Sequence, residues 1–204
     1  MSMNKLKNVP IEYLDKFKEV KGYQHNYSLD LKNLWDNSKK LQKSTWDYRD
    51  EYVKKYAWAV PDHQALGVIS QYSPLIEIGA GTGYWGYLLN RLGVDILCFD
   101  KEPHHNHYSD HQWFIVKEGT PEILSNYPDR NLFLCWPPYD DRMAYECLKN
   151  FKGKYFIYIG EGEGGCNGTT LFFKRLYRTF KELRFIPIPH WYGLHDGLSI
   201  HKRR

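Results

Sequence analysis

The 204-residue chain contains no run of about 18 consecutive apolar residues, the length needed to cross a bilayer as a helix. No apolar stretch follows the charged and polar opening Met1-Ser2-Met3-Asn4-Lys5-Leu6, so a soluble, unexported, cytoplasmic protein is expected. Its four cysteines, Cys98, Cys135, Cys147 and Cys166, form no C-x-x-C pair, which argues against a disulfide framework or a zinc ribbon and for free thiols in a reducing compartment. Charge of one sign is also lacking. Lys and Arg number 28 against 24 Asp and Glu, and the only basic tract is the closing His201-Lys202-Arg203-Arg204. A dedicated nucleic-acid binder presents a basic face or run, so nucleic acid is a permitted partner but not the favoured one. Neither internal repeats nor low-complexity linkers occur. The length fits one domain, or one domain with a modest extension, and such a core buries about 70% of the unfolded chain's surface without help from metals or cross-links.

What is present divides in two. Residues 1–72 carry helical periodicity: Pro10 opens a helix with Ile11, Leu14, Phe17 and Val20, and Ser28 or Asp30 starts another with Leu31, Leu34, Trp35 and Leu41. Thr45 caps a third through Tyr48, Tyr52 and Tyr56, and Pro61 begins a fourth with Ala65, Leu66 and Ile69. This portion reads as a helical extension packed on a main domain, residues 73–204. There, seven short apolar runs read as strands: Leu75–Ile78, Asp95–Phe99, Trp113–Val116, Leu132–Cys135, Tyr155–Ile159, Arg184–Ile188 and Leu198–His201. Helical segments at Trp85–Leu92, Pro121–Asn126, Arg142–Asn150 and Thr170–Phe180 intervene, which predicts a doubly wound, mostly parallel α/β sheet. Only Pro189–Gly197 joins the last two strands, so one of them must run antiparallel.

The most informative stretch is Leu75-Ile-Glu77-Ile-Gly79-Ala80-Gly81-Thr82-Gly83-Tyr-Trp-Gly86, with Asp100 ending the next strand. Glycines allow a sharp turn and a close ligand at a strand end, and the following helix offers its free N-terminal amides. An acidic residue about 20 positions on can accept ribose hydroxyls. Gly81, Gly83 and Gly86 also satisfy G-x-G-x-x-G, so a nicotinamide dinucleotide competes, as does a glycine-rich turn without a ligand. Against the dinucleotide, too little chain follows the first strand for two mononucleotide-binding halves and a substrate region.

The pattern E-x-G-x-G-x-G from Glu77 to Gly83 resembles motif I of the class I, Rossmann-like S-adenosylmethionine-dependent methyltransferases. The resemblance covers roughly residues 56–202 and implies strand order 3-2-1-4-5-7-6, with S-adenosylmethionine as cofactor. It places Glu77, Gly79, Ala80, Gly81, Thr82, Gly83 and Asp100 at the cofactor, Glu77 holding its cationic amino end. By location alone it adds Lys101 near the ribose, Glu118 near the adenine, and Cys135 and Trp58 beside or over the ligand. Trp58 and Tyr56 serve core packing equally well.

Ligands of open parallel sheets lie beyond the strand ends where the order reverses, here between the first and fourth strands. Cys135-Trp136-Pro137-Pro138-Tyr139 is therefore expected to face the transferred methyl. The segment resembles motif IV of amino-methyltransferases, but Trp136 stands where that motif has Asn or Asp. An indole donates one hydrogen bond and accepts none, which argues against adenine, cytosine or glutamine-amide methylation. An indole face attracts a cation, and Tyr139 can stack on an acceptor. The competing role for Trp136 and the prolines is a rigid loop. Glu161 is the candidate base, with Asp140, Asp141 and Glu163 as alternatives; Asp140 competes as a helix cap. Trp136, Tyr139 and Glu161 are thus the catalytic candidates, acting on a small molecule or protein side chain. His104, His105, His107 and His111 crowd one connection without a zinc-like spacing, and no metal is assigned. A non-catalytic member of the same fold that binds a partner or RNA is the second functional class.

Overall fold

The computed structural model describes Leu6 and residues 8–20, 46–103 and 111–204. The helix expected from Ser28 or Asp30, the Thr45 cap, and His104, His105 and His107 lie outside these residues. In chain order the elements are α1 (Glu12–Glu19), α2 (helical over residues 46–55), α3 (His63–Ile69), β1 (Leu75–Ile78), α4 (Tyr84–Arg91), β2 (Ile96–Asp100), β3 (Val116–Glu118), β4 (Asn131–Cys135), α5 (Met143–Asn150), β5 (Tyr155–Gly160), α6 (Thr170–Thr179), β6 (Phe180–Pro187) and β7 (Gly197–Arg203). Short 3₁₀ turns occupy Ser70–Tyr72 and Pro121–Asn126.

Seven strands form one sheet in the order 3-2-1-4-5-7-6, the order the resemblance implies. Strands β1 to β5 pair in parallel, whereas β7 runs antiparallel to both β5 and β6. Alternation along the strands sends side chains to two separate cores. Leu75, Cys98, Phe133, Ile157 and Ile159 face one cluster, which also takes in α1, α3 and α4. Ile76, Ile78, Leu132, Leu134 and Phe156 face the other, covered by α5 and α6. The N-terminal helices are bound into this packing: Trp191 Nε1 donates to Tyr13 Oη at 2.9 Å, and the Tyr13 amide donates to Tyr84 Oη at 3.2 Å.

Several boundaries differ from the sequence expectation for identifiable reasons. The fourth N-terminal helix is started by Asp62, whose Oδ1 accepts the Ala65 amide at 2.7 Å, so Pro61 lies outside it. β3 begins at Val116, not Trp113, because Trp113 turns back to donate through Nε1 to the Lys55 carbonyl at 2.6 Å and from its amide to Thr82 O at 2.8 Å. Pro121–Asn126 is a 3₁₀ turn, too short to gain α-helical cooperativity. β6 starts at Phe180, immediately after α6, four residues before its expected start.

Gly86 lets α4 approach the sheet. A methyl group there would overlap Cys98 Sγ and come within 3.3 Å of Phe114 Cδ1. Gly86→Ala gains about 1 kcal/mol of helix propensity. Overlap in a packed interior loses about 1–3 kcal/mol, so a net loss of stability in urea denaturation is expected. Adding Cys98→Ala should restore part of it; no recovery in the double variant would show that another contact sets the requirement.

Candidate active site

The site grows from the turn after β1. Gly79, Gly81 and Gly83 have φ of +74°, +54° and +72°, values glycine adopts without a Cβ clash. Five of the amides here are already committed. Gly79 and Ala80 donate to the Phe99 carbonyl at 2.8 and 3.0 Å, Gly83 donates to Ala80 O at 2.8 Å, and Gly81 donates to Asp100 Oδ2 at 2.9 Å. Tyr84, the first residue of α4, donates to Thr82 Oγ1 at 3.2 Å. These donors hold the turn and the Asp100 carboxylate in place.

Glu77 lies on the α4 face of β1, between Leu75 and Gly79, and is 2% exposed. Among the described residues its carboxyl receives a single hydrogen bond, from Cys98 Sγ at 3.4 Å. Burial pushes its pKa up to about 8, moderated by the Cys98 hydrogen bond and reinforced by the nearby Asp100 charge. The neighbouring thiols of Cys98 and Cys135 are raised well above their ordinary range by the same burial. Glu77, Gly79, Ala80, Gly81, Thr82, Trp58 and Cys135 line one cavity together with Val53, Tyr56, Ala57 and Trp85. Its volume, about 40 Å³, holds a few water molecules and falls far below the roughly 300–1,000 Å³ of a ligand pocket. The restriction comes from residues 53–58, which lie over the turn. Thr82 Oγ1 donates to the Tyr56 carbonyl, and Trp113 stacks on Tyr56 at 5.6 Å between ring centroids.

Beyond β4 the chain makes a second constrained turn. Trp136 and Asp140 have φ of +53° and +52°, which costs a non-glycine residue roughly 1–2 kcal/mol. Pairing with β5 and the loop after it holds them there: the Trp136 amide donates to Ile159 O at 2.8 Å, Asp140 N to Gly168 O at 3.0 Å, and Asn167 Nδ2 to Pro137 O at 3.2 Å. The Trp136 ring stacks on Trp58, centroids 5.1 Å apart, and its Nε1 donates to Asp196 Oδ1 at 2.6 Å. Asp196 is 3% exposed, and burial pushes its pKa up to about 7, with Trp136 and Arg49 pulling down and Glu161 pushing up.

The structure brings Glu77, the glycine turn, Trp58, Cys135 and Trp136 together. Asp100 sits at the end of β2, in register with Glu118 on β3. Lys101 stands in solvent, paired with Glu102 at 3.8 Å, and is not carried to the cavity. Tyr139 does not line the cavity: its backbone bridges Gly168 and its side chain is 71% exposed. Asp141, not Asp140, serves the start of α5, accepting the Met143 amide at 2.6 Å.

Glu161, the candidate base, is held by two backbone amides. Burial raises its pKa, but hydrogen bonds from the Cys166 and His195 amides, at 2.7 and 2.8 Å, outweigh burial and leave it lowered. A carboxylate so satisfied is a weak proton acceptor and ties the β5 loop to the segment before β7. Asp196, Arg49 and Trp46 were not legible in the sequence. Asp196 lies in the short link between the last strands, and the helical spacing of Trp46 and Arg49 carries no motif. Among the described residues no group of three His, Cys, Asp or Glu side chains is placed to hold a metal ion, and no helix is long and apolar enough to cross a membrane.

No protein-family profile and no curated protein sequence matches the chain. Among solved structures, it is similar to a TehB-like SAM-dependent methyltransferase from Corynebacterium glutamicum, at 15% identity and TM-score 0.46, over 80% of this chain and 100% of that one. An rRNA methylase from Streptococcus thermophilus aligns at 12% identity and TM-score 0.42, over 69% and 95% of the two chains. The glycopeptide N-methyltransferase MtfA, complexed with S-adenosylmethionine, aligns at 8% identity and TM-score 0.46, over 69% and 93%. The strand order with its closing antiparallel pair is itself that of the class I methyltransferase fold.

The Glu77 carboxyl is more readily protonated in the folded protein than at its ordinary value of 4.5. Folding is therefore favoured fully below about pH 4.5, and that contribution is lost as pH rises through about 8. Glu77→Gln should gain on the wild type in urea denaturation between pH 5 and pH 9. A stability difference constant across this range would show that the carboxyl titrates as if exposed.

Proposed function

We propose that the protein transfers a methyl group from S-adenosylmethionine to a small-molecule or protein acceptor. One observation carries the reading: a carboxyl group, buried and with one thiol partner among the described residues, stands beside a glycine turn held by several of its own amides. A pyrophosphate cofactor carries no cation to pair with that carboxyl. The ammonium end of an amino-acid sulfonium supplies what Glu77 lacks.

The donor set fits that cofactor. Glu77 would take its ammonium group, Asp100 its ribose hydroxyls, and the glycine turn its close approach to the main chain. When bound, the cofactor supplies an electrophilic methyl on a cationic sulfur. The cavity fits only after residues 53–58 move away from the turn, because about 40 Å³ cannot admit a nucleoside. Closure of that segment afterwards would exclude water from the sulfonium, and Trp58 would return over it. Trp136, at the end of β4, would then border the acceptor, with Asp196 as the nearest carboxyl of suitable basicity to receive a proton. The enzyme reading, the cytoplasmic setting and the acceptor class belong to this proposal together.

Calorimetric titration with S-adenosylmethionine and S-adenosylhomocysteine tests it. Saturable binding of both is expected. At pH 7 binding should release close to one proton from Glu77, seen as a heat that changes with the ionisation enthalpy of the buffer. Glu77→Gln should weaken binding at least about tenfold, the effect of losing a hydrogen bond to a charged group. Heat from a nicotinamide dinucleotide and none from either sulfur compound would overturn the assignment.

A further inference from the structure

The end of β4 holds an arrangement that the cofactor site does not require. The Arg49 guanidinium carbon lies 5.0, 4.9 and 5.3 Å from the ring centroids of Trp46, Trp58 and Trp136. Arg49 is 5% exposed, and its Nε has no hydrogen-bond partner among the described residues. Its ion pair is with the exposed Asp50, at the long distance of 4.0 Å. At the N–H edge of Trp136 sits Asp196, whose Oδ1 takes the indole hydrogen while Oδ2 has no partner. A buried cation and a buried acid thus share the Trp136 indole, each left partly unsatisfied among the described residues. Packing for stability alone would join or replace them, since an incompletely paired buried charge is unfavourable.

The cluster adjoins the cavity at the glycine turn. Trp58 and Cys135 line that cavity, Trp58 stacks on Trp136, and Cys135 precedes Trp136 in the chain. Trp46 and Arg49 lie three residues apart on α2, one helical face, and the same segment continues into the residues that cover the turn. Arg49 and the cover of the turn therefore belong to one segment. Three indole faces and one free carboxylate oxygen suit a positively charged nitrogen group that carries its own N–H donors.

We propose that the three-indole cluster is the acceptor subsite, that it takes a cationic ammonium or guanidinium group, and that Arg49 stands in that group's place until the acceptor enters. Its role as acceptor subsite rests on the methyl-transfer reading; its affinity for a cation does not. Burial lowers the Arg49 pKa from its ordinary value and raises that of Asp196, consistent with two groups held short of full compensation.

The test is titration of methylguanidinium, tetramethylammonium and neutral methylurea, at millimolar concentrations, into the wild type, Arg49→Ala and Arg49→Met. The methionine variant keeps an apolar stem among the indoles should the alanine variant fail to fold. Removal of the internal occupant should tighten methylguanidinium binding at least about tenfold over the wild type, and methylguanidinium should bind at least about tenfold tighter than methylurea. Adding Asp196→Asn should reverse most of the gain. Equal affinity for the cations and for methylurea in the folded variant, or no gain over the wild type, overturns the proposal. Parallel titration with S-adenosylhomocysteine separates the two claims. If that compound binds and the cations do not, the subsite fails while methyl transfer stands; if the cations bind and that compound does not, the methyl-transfer reading fails and the cation site stands.

Discussion

The carboxyl group of Glu77, held inside the sheet, is the constraint around which the rest is arranged. β1 is an inner strand, with β2 on one side and β4 on the other, so a side chain on either of its faces is covered by helices. Leu75 and Glu77 share the face of α4, and where Leu75 packs, Glu77 borders the cavity with one hydrogen bond, from a thiol, among the described residues. Such a group is tolerated because it can retain its proton, which burial favours. Its isolation defines what belongs next to it. A cation with N–H donors would relieve the strain, and an anion would increase it.

A second buried acid repeats the logic across the switch in strand order. Asp196 reaches the end of β4 from the far edge of the sheet because β7 runs antiparallel, which brings the start of that strand beside the ends of its parallel neighbours. The loops after β4 and β5 are bonded to each other through Asn167, Gly168 and Trp136, and this pairing holds Trp136 at a positive φ. Glu161, anchored by two amides, keeps the link before β7 in place. The two acids therefore stand at the same end of the sheet, one beneath each constrained turn, with Trp58 between the turns.

The sheet was legible because its signals are local. Short apolar runs, glycines at strand ends and an interval too short for a crossover each constrain topology without knowledge of distant contacts. The glycine turn, Glu77 and Asp100 were legible for the same reason: they are one strand, one turn and the next strand end. Errors arose where tertiary contacts override local pattern. Trp113 reads as the start of a strand but is drawn away by the Lys55 carbonyl. The two amides from different loops that converge on Glu161 have no local signal. Asp196 and Arg49 meet Trp136 from 60 and 87 residues away in the sequence, and no local spacing encodes such a meeting.

The hydroxyl of Thr82 has two tasks. It accepts the first amide of α4 and donates to the carbonyl of Tyr56 in the segment above. Lifting that segment removes the acceptor that orients the hydroxyl and frees it to turn toward whatever enters below. Uncovering the glycine turn would thereby change the hydrogen bonding at the first turn of α4, so an arriving ligand would be sensed at the start of that helix.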